Sequence, residues 1–150
     1  MEAVNMLNYA EDILDYGVMG VLILMSIVTL WLFIERMMFY KSVRTEDYKH
    51  RDSLDLDLTD NIGVLSAIGT NAPYVGLLGT VMGIMITFFT MGDVDAVDAK
   101  RIMVGLALAL KATAMGLVVA IPAIVAYTIA LRKVERILTK FDVEQEEKVK

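Results

Sequence analysis

Three long apolar stretches interrupt the polar positions of this chain. Residues 16–34 and 61–92 carry no charged side chain, and residues 102–131 carry only Lys111. A helix of about 20 apolar residues is long enough to cross the roughly 30 Å hydrocarbon core of a bilayer. The pattern therefore predicts an all-α membrane protein with three transmembrane helices.

The polar positions between these stretches set the predicted boundaries. We predict a single membrane domain over residues 1–150, with helices at about 16–40, 61–91 and 99–147, a cytoplasmic loop at 41–60 and an outer loop at 92–98. The 41–60 segment is interpreted as a solvated turn in which Thr59 or Asp60 caps the second helix.

The second and third predicted helices are both longer than the membrane is thick. The 31 residues from 61 to 91 would extend roughly 46 Å as a helix. Beyond the third span, apolar residues recur at helical spacing between charged ones, which is typical of an amphipathic helix. They are Leu131, Val134, Leu138 and Phe141. We expect this cytoplasmic extension to be buried against other helices.

The distribution of Lys and Arg predicts the orientation. Five lie between Arg36 and Arg51 and six between Arg132 and Lys150, whereas the 92–101 connection has two and residues 1–15 have none. Because basic residues concentrate on the cytoplasmic side, the N-terminus should be outside and the C-terminus cytoplasmic. The first stretch is too long for a signal peptide and follows acidic residues, so we expect it to remain as a helix.

Composition narrows the function classes. The chain has no Cys and a single His, which disfavours a thiolate metal site, and we predict no metal and no cofactor. The net charge of −5 combines basic flanks with acidic outer residues and does not indicate nucleic-acid binding. The apolar stretches contain no acid pair, histidine cluster or activated nucleophile, so we do not expect an enzyme.

Small residues recur on one face of the second and third predicted helices. Small residues let membrane helices approach closely, because lipid provides no hydrophobic drive for association. On the second helix they are Gly76, Gly79 and Gly83, interspersed with Thr80 and Thr87. On the third they are Gly105, Ala109, Ala112, Gly116, Ala120 and Ala123, flanked by Thr113. The pattern predicts helix packing, and a threonine there can also bond only to its own helix.

Several polar side chains are predicted to lie near the middle of the membrane. Counted from the outer ends of their helices, Thr80, Thr113 and Lys111 lie roughly 15 to 18 Å deep, and Ser26 reaches a similar level. Polar groups at this depth commonly line substrate and ion paths.

Two motifs in these helices resemble a known family of membrane proteins. The stretch NAPYVGLLGTVMGIM (71–85) resembles the second membrane helix of the ExbB/TolQ/MotA proton-channel family, and ALKATAMGLVVAIPAIVAY (109–127) resembles the third. IERMMFY (34–40) is similar to the end of the first. The resemblance covers all three predicted spans.

The resemblance to ExbB-type members implies a fold, partners and a function. It implies a homopentameric ring in the inner membrane of a Gram-negative bacterium, surrounded by phospholipid, with the second and third spans lining a central pore. The implied partners are an ExbD-type subunit, whose single helix carries a membrane aspartate inside the pore, and TonB. The implied function is to use the proton gradient to energise transport across the outer membrane, such as iron-siderophore uptake.

The resemblance also assigns site residues. Thr80 and Thr113 match the family's pore threonines, and we include Thr87 and Lys111 in the predicted proton pathway. This chain departs from the family's pattern in two places. Its segment between the first two helices is unusually short, and Leu108 replaces a glutamate that the family commonly places five residues before the third-helix threonine.

Lys111 raises the question of what holds a charge inside the membrane. On a helical wheel it lies some 150° from the centre of the small-residue stripe, so it should face a neighbouring helix and not the pore. One interpretation is structural, with Lys111 bonded to Ser26, a backbone carbonyl or water. The other is functional, with the lysine balancing the charge of partner aspartates.

Other functions remain open at this stage. A TolQ-type subunit of an envelope-constriction system shares nearly all these motifs. A small transporter is a different class, but the chain lacks inverted repeats and broken helices.

Overall fold

Uninterrupted apolar runs produce three long helices, and a fourth, short helix lies between the first two of them. The computed structural model describes residues 2–91 and 99–149. The helices are α1 Glu2–Ser42, α2 Arg51–Thr59, α3 Ile62–Met91 and α4 Ala99–Val149, with one 3₁₀ turn at Thr45–Asp47. The predicted outer loop at 92–98 lies outside the described residues. We call the two ends of the bundle the α2 end and the Met91 end.

Three of these helices are long and apolar enough to cross a membrane, as the sequence predicted. The candidate spans are Ile13–Ser42 in α1, Ile62–Phe89 in α3 and Ile102–Lys148 in α4. Large apolar side chains of α1, among them Leu24 and Trp31, are exposed on the protomer surface. Such a surface suits contact with lipid, and the chain is a multi-pass membrane protein.

The α1 helix packs across the antiparallel pair formed by α3 and α4. Leu22 of α1 is fully buried against Ala72 of α3 and Ala120 and Ala123 of α4. Further toward the α2 end, Leu32, Leu65 and Ala126 form a second contact of the same three helices. This packing sets the level of each residue of α1 relative to α3 and α4.

The segment predicted as a solvated loop contains α2, and that prediction is wrong. Leu54 and Leu58 of α2 are fully buried, whereas Leu56 between them is 72% exposed. The two buried leucines pack against the last part of α4, where Val134, Leu138 and Phe141 are also buried. The predicted burial of the amphipathic extension is therefore confirmed for these three residues, whereas Leu131 is half-buried, and α2 supplies part of the surface that covers the extension.

Side chains of α1 satisfy the last carbonyl groups of α2. The final carbonyls of a helix have no partner within the helix. The Arg36 Nη1 donates to the Asp57 carbonyl at 3.2 Å, and the Tyr40 hydroxyl donates to the Leu58 carbonyl at 3.0 Å. Arg36 is itself held by both carboxylate oxygens of Glu35, at 2.6 and 2.7 Å. The end of α1 thus positions the end of α2.

The corner between α2 and α3 differs from the predicted cap. Asn61 adopts a left-handed conformation with φ of 58°, which Asn tolerates better than most residues. Thr59 donates to the Asp55 carbonyl of α2 itself, at 2.7 Å, and Asp60 accepts from Asn61 at 3.0 Å. The chain therefore turns through Asn61, and the predicted capping role of Thr59 or Asp60 is replaced by contacts on the α2 side.

The length of α4 carries it well beyond the membrane. Its 51 residues extend roughly 76 Å, more than twice the thickness of a hydrocarbon core. The part that packs on α2 is also where Arg132, Lys133, Glu135 and Arg136 appear. The α2 end therefore projects from the bilayer as a small helical layer.

We expect Tyr40→Phe to destabilise this layer. The change removes the hydroxyl that donates to the buried Leu58 carbonyl, so the free energy of unfolding should fall by about 1 to 3 kcal/mol. Tyr48→Phe is the matched control, because the Tyr48 hydroxyl bonds the Asp57 carboxylate at an exposed site. The measurement is thermal or denaturant unfolding of the detergent-purified protein. Equal losses in the two variants would contradict the capping role of Tyr40.

Candidate functional site

Glycine and alanine bring the backbones of α3 and α4 into direct contact. A Cβ atom on Gly76 would lie 2.6 Å from the Ala112 carbonyl oxygen, and one on Gly116 would lie 2.7 Å from the Ala72 carbonyl oxygen. Toward the Met91 end, a Cβ on Gly83 would lie 3.0 Å from the Ala109 Cβ. We call this line of close contact the seam.

The remaining small residues of the predicted stripes also lie along the seam or beside it. A Cβ on Gly79 would meet Ala112 at 2.8 Å and Val18 of α1 at 3.0 Å. Gly105 faces the Thr87 side chain, and Ala120 is buried in the contact with α1. The spacing read from the sequence thus corresponds to one continuous surface in the folded chain.

Thr80 and Thr113 meet across the seam through their hydroxyl groups. The two Oγ1 atoms hydrogen-bond to each other, and Thr80 Oγ1 also lies 3.0 Å from the Ala109 carbonyl and 3.2 Å from the Gly76 carbonyl. Thr113 Oγ1 lies 3.4 Å from the Gly76 carbonyl. Thr80 is only 8% exposed, whereas Thr113 is half-buried. Thr113 is therefore the member of the pair that a further group reaches more easily.

Thr87 occupies a different environment from this pair. Its hydroxyl donates to the Gly83 carbonyl of its own helix at 2.8 Å, and its side chain is buried against Gly105. The structure thus separates Thr87 from the threonine pair, two helical turns away. Its contacts are those of a packing residue.

Lys111 pairs with an acid on α1. Its Nζ lies 3.8 Å from Asp15 Oδ2, and the two side chains are 51% and 39% exposed in the single protomer. Ser26, one of the partners considered in the structural interpretation, lies eleven residues further along α1, roughly 16 Å toward the α2 end. Lys111 does face a neighbouring helix, as the helical wheel indicated.

Sequence reasoning missed Asp15 as the partner of Lys111. The predicted first helix began at residue 16, which left Asp15 outside the membrane, whereas the span in the structure begins at Ile13. Asp15 therefore belongs to the candidate span of α1 and not to the segment before it. The signal that could have found it is the unpaired charge of Lys111, which requires a nearby counter-ion.

A cavity opens between α1 and the seam on the Met91 side of the threonine pair. Its volume is about 250 Å³, and Asp15 is the charged residue in its lining. The other lining residues are small or apolar: Leu14 and Val18 of α1, Gly79, Gly83 and Ile86 of α3, and Gly105, Leu108, Ala109 and Ala112 of α4. Leu108, which stands where the family commonly has a glutamate, is thus part of this wall. Within the described residues, no group of three or more His, Cys, Asp or Glu side chains lies close enough together to hold a metal.

Three helices long enough to cross a membrane, with a hydroxyl pair and an ion pair between them, make up a polar site within a membrane protein. The sequence profile of the MotA/TolQ/ExbB proton channel family matches residues 31–143. The chain belongs to this family, as the motifs of its second and third spans suggested.

Several relatives match nearly the whole chain. A biopolymer transport protein ExbB of Helicobacter pylori is 53% identical over 131 residues, covering 87% of this chain and 90% of the relative. A putative biopolymer transport protein ExbB-like 2 of Helicobacter pylori is 50% identical, covering 89% of each chain. The ExbB of Aquifex aeolicus is 45% identical, covering 91% and 93% respectively. The matched parts make up about nine tenths of each of these relatives.

We expect Gly76→Ala to disrupt the seam. The added Cβ would meet backbone atoms of Ala112 and Thr113, which cannot move without separating the helices, so stability should fall by about 1 to 3 kcal/mol. Gly63→Ala is the control in the same helix, because nothing lies within 4 Å of its Cβ position and alanine favours the helix by up to about 1 kcal/mol. Thermal stability in detergent measures both, and an unaffected Gly76→Ala protein would show that the seam is loose.

We expect the ion pair between Asp15 and Lys111 to behave as a coupled unit. Asp15→Asn or Lys111→Met leaves one charge without its partner, which should cost about 1 to 3 kcal/mol. The double variant removes both charges and should be more stable than either single variant. Unfolding measurements on the wild type, the two single variants and the double variant complete a double-mutant cycle. Additive losses in the double variant would mean that the two side chains do not interact.

Proposed function

We propose that this chain is the ExbB-type subunit of a proton-driven motor in the inner membrane. With an ExbD-type subunit and TonB, it would use the proton gradient to energise transport across the outer membrane, such as iron-siderophore uptake. Each proton moving through 100 mV provides about 2.3 kcal/mol for this work.

The observation that carries this proposal is the threonine pair in a member of a proton-channel family. Thr80 and Thr113 lie on the two helices that the family resemblance assigns to the pore, and their hydroxyls meet within one protomer. Hydroxyl groups of this kind can bond to a carboxylic acid in either protonation state. The pair is therefore a suitable receptor for a membrane aspartate of an ExbD-type partner.

The hydrogen-bond donors and acceptors of the threonine pair would allow it to bind a carboxyl group in both its protonated and its ionised state. Each hydroxyl provides one donor and two acceptor sites. When Thr113 donates to Thr80, and Thr80 donates to the Ala109 carbonyl, the Thr113 oxygen can accept from a protonated carboxyl group. When Thr80 donates to Thr113, the Thr113 hydroxyl can donate to an ionised carboxylate. The direction of this chain of hydrogen bonds would thus reverse when the carboxyl group gains or loses its proton.

We further propose a homopentameric ring with the N-terminus in the periplasm. Large apolar side chains on α3 and α4 remain exposed in the single protomer, for example Leu78, Val81 and Ile121. Contact with neighbouring copies and with lipid would cover these faces. The concentration of Lys and Arg at the α2 end supports placing that end in the cytoplasm.

The names of the relatives favour the ExbB-type role over a TolQ-type role. The matching family includes MotA, TolQ and ExbB proteins alike. The relatives that cover most of this chain carry the ExbB name. On this ground we prefer outer-membrane transport to envelope constriction.

The Thr80→Val/Thr113→Val variant tests this function. Valine keeps the shape of threonine and removes the hydroxyl, so the ring should assemble with the native mass of wild type while iron-siderophore uptake falls. Thr128→Val is the control on α4, because the exposed Thr128 hydroxyl bonds only to the Ile124 carbonyl of its own helix. Uptake at the wild-type rate in the double variant would refute the role of the pair, and a native mass of one chain would refute the ring.

A further inference from the structure

The cavity beside α1 lies against an acid of the candidate span Ile13–Ser42, and an ammonium group of α4 pairs with that acid. Asp15 lines the cavity, and Lys111 reaches the same carboxylate from α4. From α3, the lining residues are Gly79, Gly83 and Ile86, none of which is charged. Among the described side chains, Lys111 is the charged group within ion-pair distance of Asp15. A carboxylate so placed has one cationic neighbour and an open space beside it.

The volume and lining of the cavity suit water. A water molecule needs a roomy site and polar partners, and each requires about 10 to 15 Å³ of cavity volume. The volume of about 250 Å³ accommodates several molecules. The Asp15 carboxylate provides strong hydrogen-bond acceptors, and the small residues of the seam leave the volume beside it open. Bulkier side chains at these positions would have filled the space.

The cavity is lined by residues whose backbone adjoins the threonine pair. Ala109 lines the cavity, and its carbonyl oxygen is 3.0 Å from Thr80 Oγ1. Ala112, another lining residue, directly precedes Thr113, while Gly79 directly precedes Thr80. One layer of backbone therefore separates the cavity from the hydroxyl pair.

We propose that this cavity is a water-filled vestibule within each protomer, in which Asp15 is a proton-entry group on the Met91 side of the seam. The Asp15 carboxylate takes a proton from a hydronium ion, forming an O–H bond and leaving water. The same bond then breaks to protonate a water nearer the seam, which regenerates the carboxylate. The proton-entry role rests on the proposed motor function, whereas the hydration of the cavity does not.

Cysteine labelling tests the hydration directly. The chain has no cysteine, so one introduced residue is the single thiol present. Ala112→Cys lines the cavity, and Ala126→Cys is the matched control on α4, since the two alanines are 4% and 6% exposed and Ala126 packs against Leu32 and Leu65. In the assembled protein in membranes, charged methanethiosulfonates should modify Ala112→Cys and leave Ala126→Cys unmodified. Leu108→Cys, which also lines the cavity and only reduces side-chain size, replaces Ala112→Cys if the latter does not assemble.

The charges of Asp15 and Lys111 should together control which reagent enters. The charges of Asp15 and Lys111 largely cancel, so cationic and anionic reagents of the same size should react at similar rates in the Ala112→Cys protein. Adding Lys111→Met leaves the carboxylate unpaired and should favour the cationic reagent about tenfold, whereas adding Asp15→Asn leaves the ammonium group and should favour the anionic one. Modification by an uncharged, membrane-permeant maleimide alone would mean that lipid fills the cavity and would overturn the proposal.

Measurements of proton flux distinguish a proton-entry role of Asp15 from simple charge pairing with Lys111. If Asp15 only neutralises Lys111, the Asp15→Asn/Lys111→Met variant should restore flux together with assembly. If Asp15 carries protons, that double variant should assemble and still lack flux, whereas Asp15→Glu should retain flux with a shifted pH profile. Wild-type flux in the double variant would overturn the entry role. The threonine variants test the motor independently, so loss of flux in them without any effect of Asp15→Asn would refute the entry role of Asp15 alone.

Discussion

The backbone contact between α3 and α4 is the constraint on which the rest of the structure depends. Lipid tails provide no hydrophobic drive for helix association, so close van der Waals packing must hold the pair together. Gly76 and Gly116 allow the carbonyl oxygens of Ala112 and Ala72 to approach where a side chain would otherwise lie. The same proximity brings the Thr80 and Thr113 hydroxyls into contact. Small side chains also leave the space under α1 unfilled, so the seam creates both the hydroxyl pair and the cavity beside it.

An ion pair helps to hold α1 against this seam. A lysine in the middle of a membrane helix is costly by itself, and Asp15 supplies the compensating charge from α1. At the other end of α1, Arg36 and Tyr40 bond to the carbonyl groups of α2. Polar contacts therefore fix α1 at two levels, and the apolar contact through Leu22 lies between them.

The sequence predicted the features that depend on local pattern. Long uncharged runs identified three spans, and small residues at steps of three and four located the seam. The burial of Val134, Leu138 and Phe141 also followed from helical spacing. Each of these properties is repeated along one helix, so a single sequence is enough to detect it.

Features that depend on a second element were not predictable in this way. In α2, Leu54, Leu56 and Leu58 alternate with polar residues, and alternation does not indicate which leucines are buried. Contact with α4 selects Leu54 and Leu58 and leaves Leu56 exposed. The depth of Asp15 likewise depends on α1 continuing beyond its uncharged run and on its register against α4. Only the packed helices define these positions.

The continuity of α4 has a mechanical consequence. The helix runs from Ala99 to Val149 and continues through Pro122, so Thr113 and the α2 contact at Phe141 belong to one rod. They are 28 residues apart, which corresponds to roughly 42 Å along the axis. A tilt of about 5° at the level of Thr113 would therefore move Phe141 sideways by roughly 4 Å, given this lever length. Any small tilt of α4 near the threonine pair is thus amplified at the α2 end into a displacement as large as the gap between neighbouring side chains.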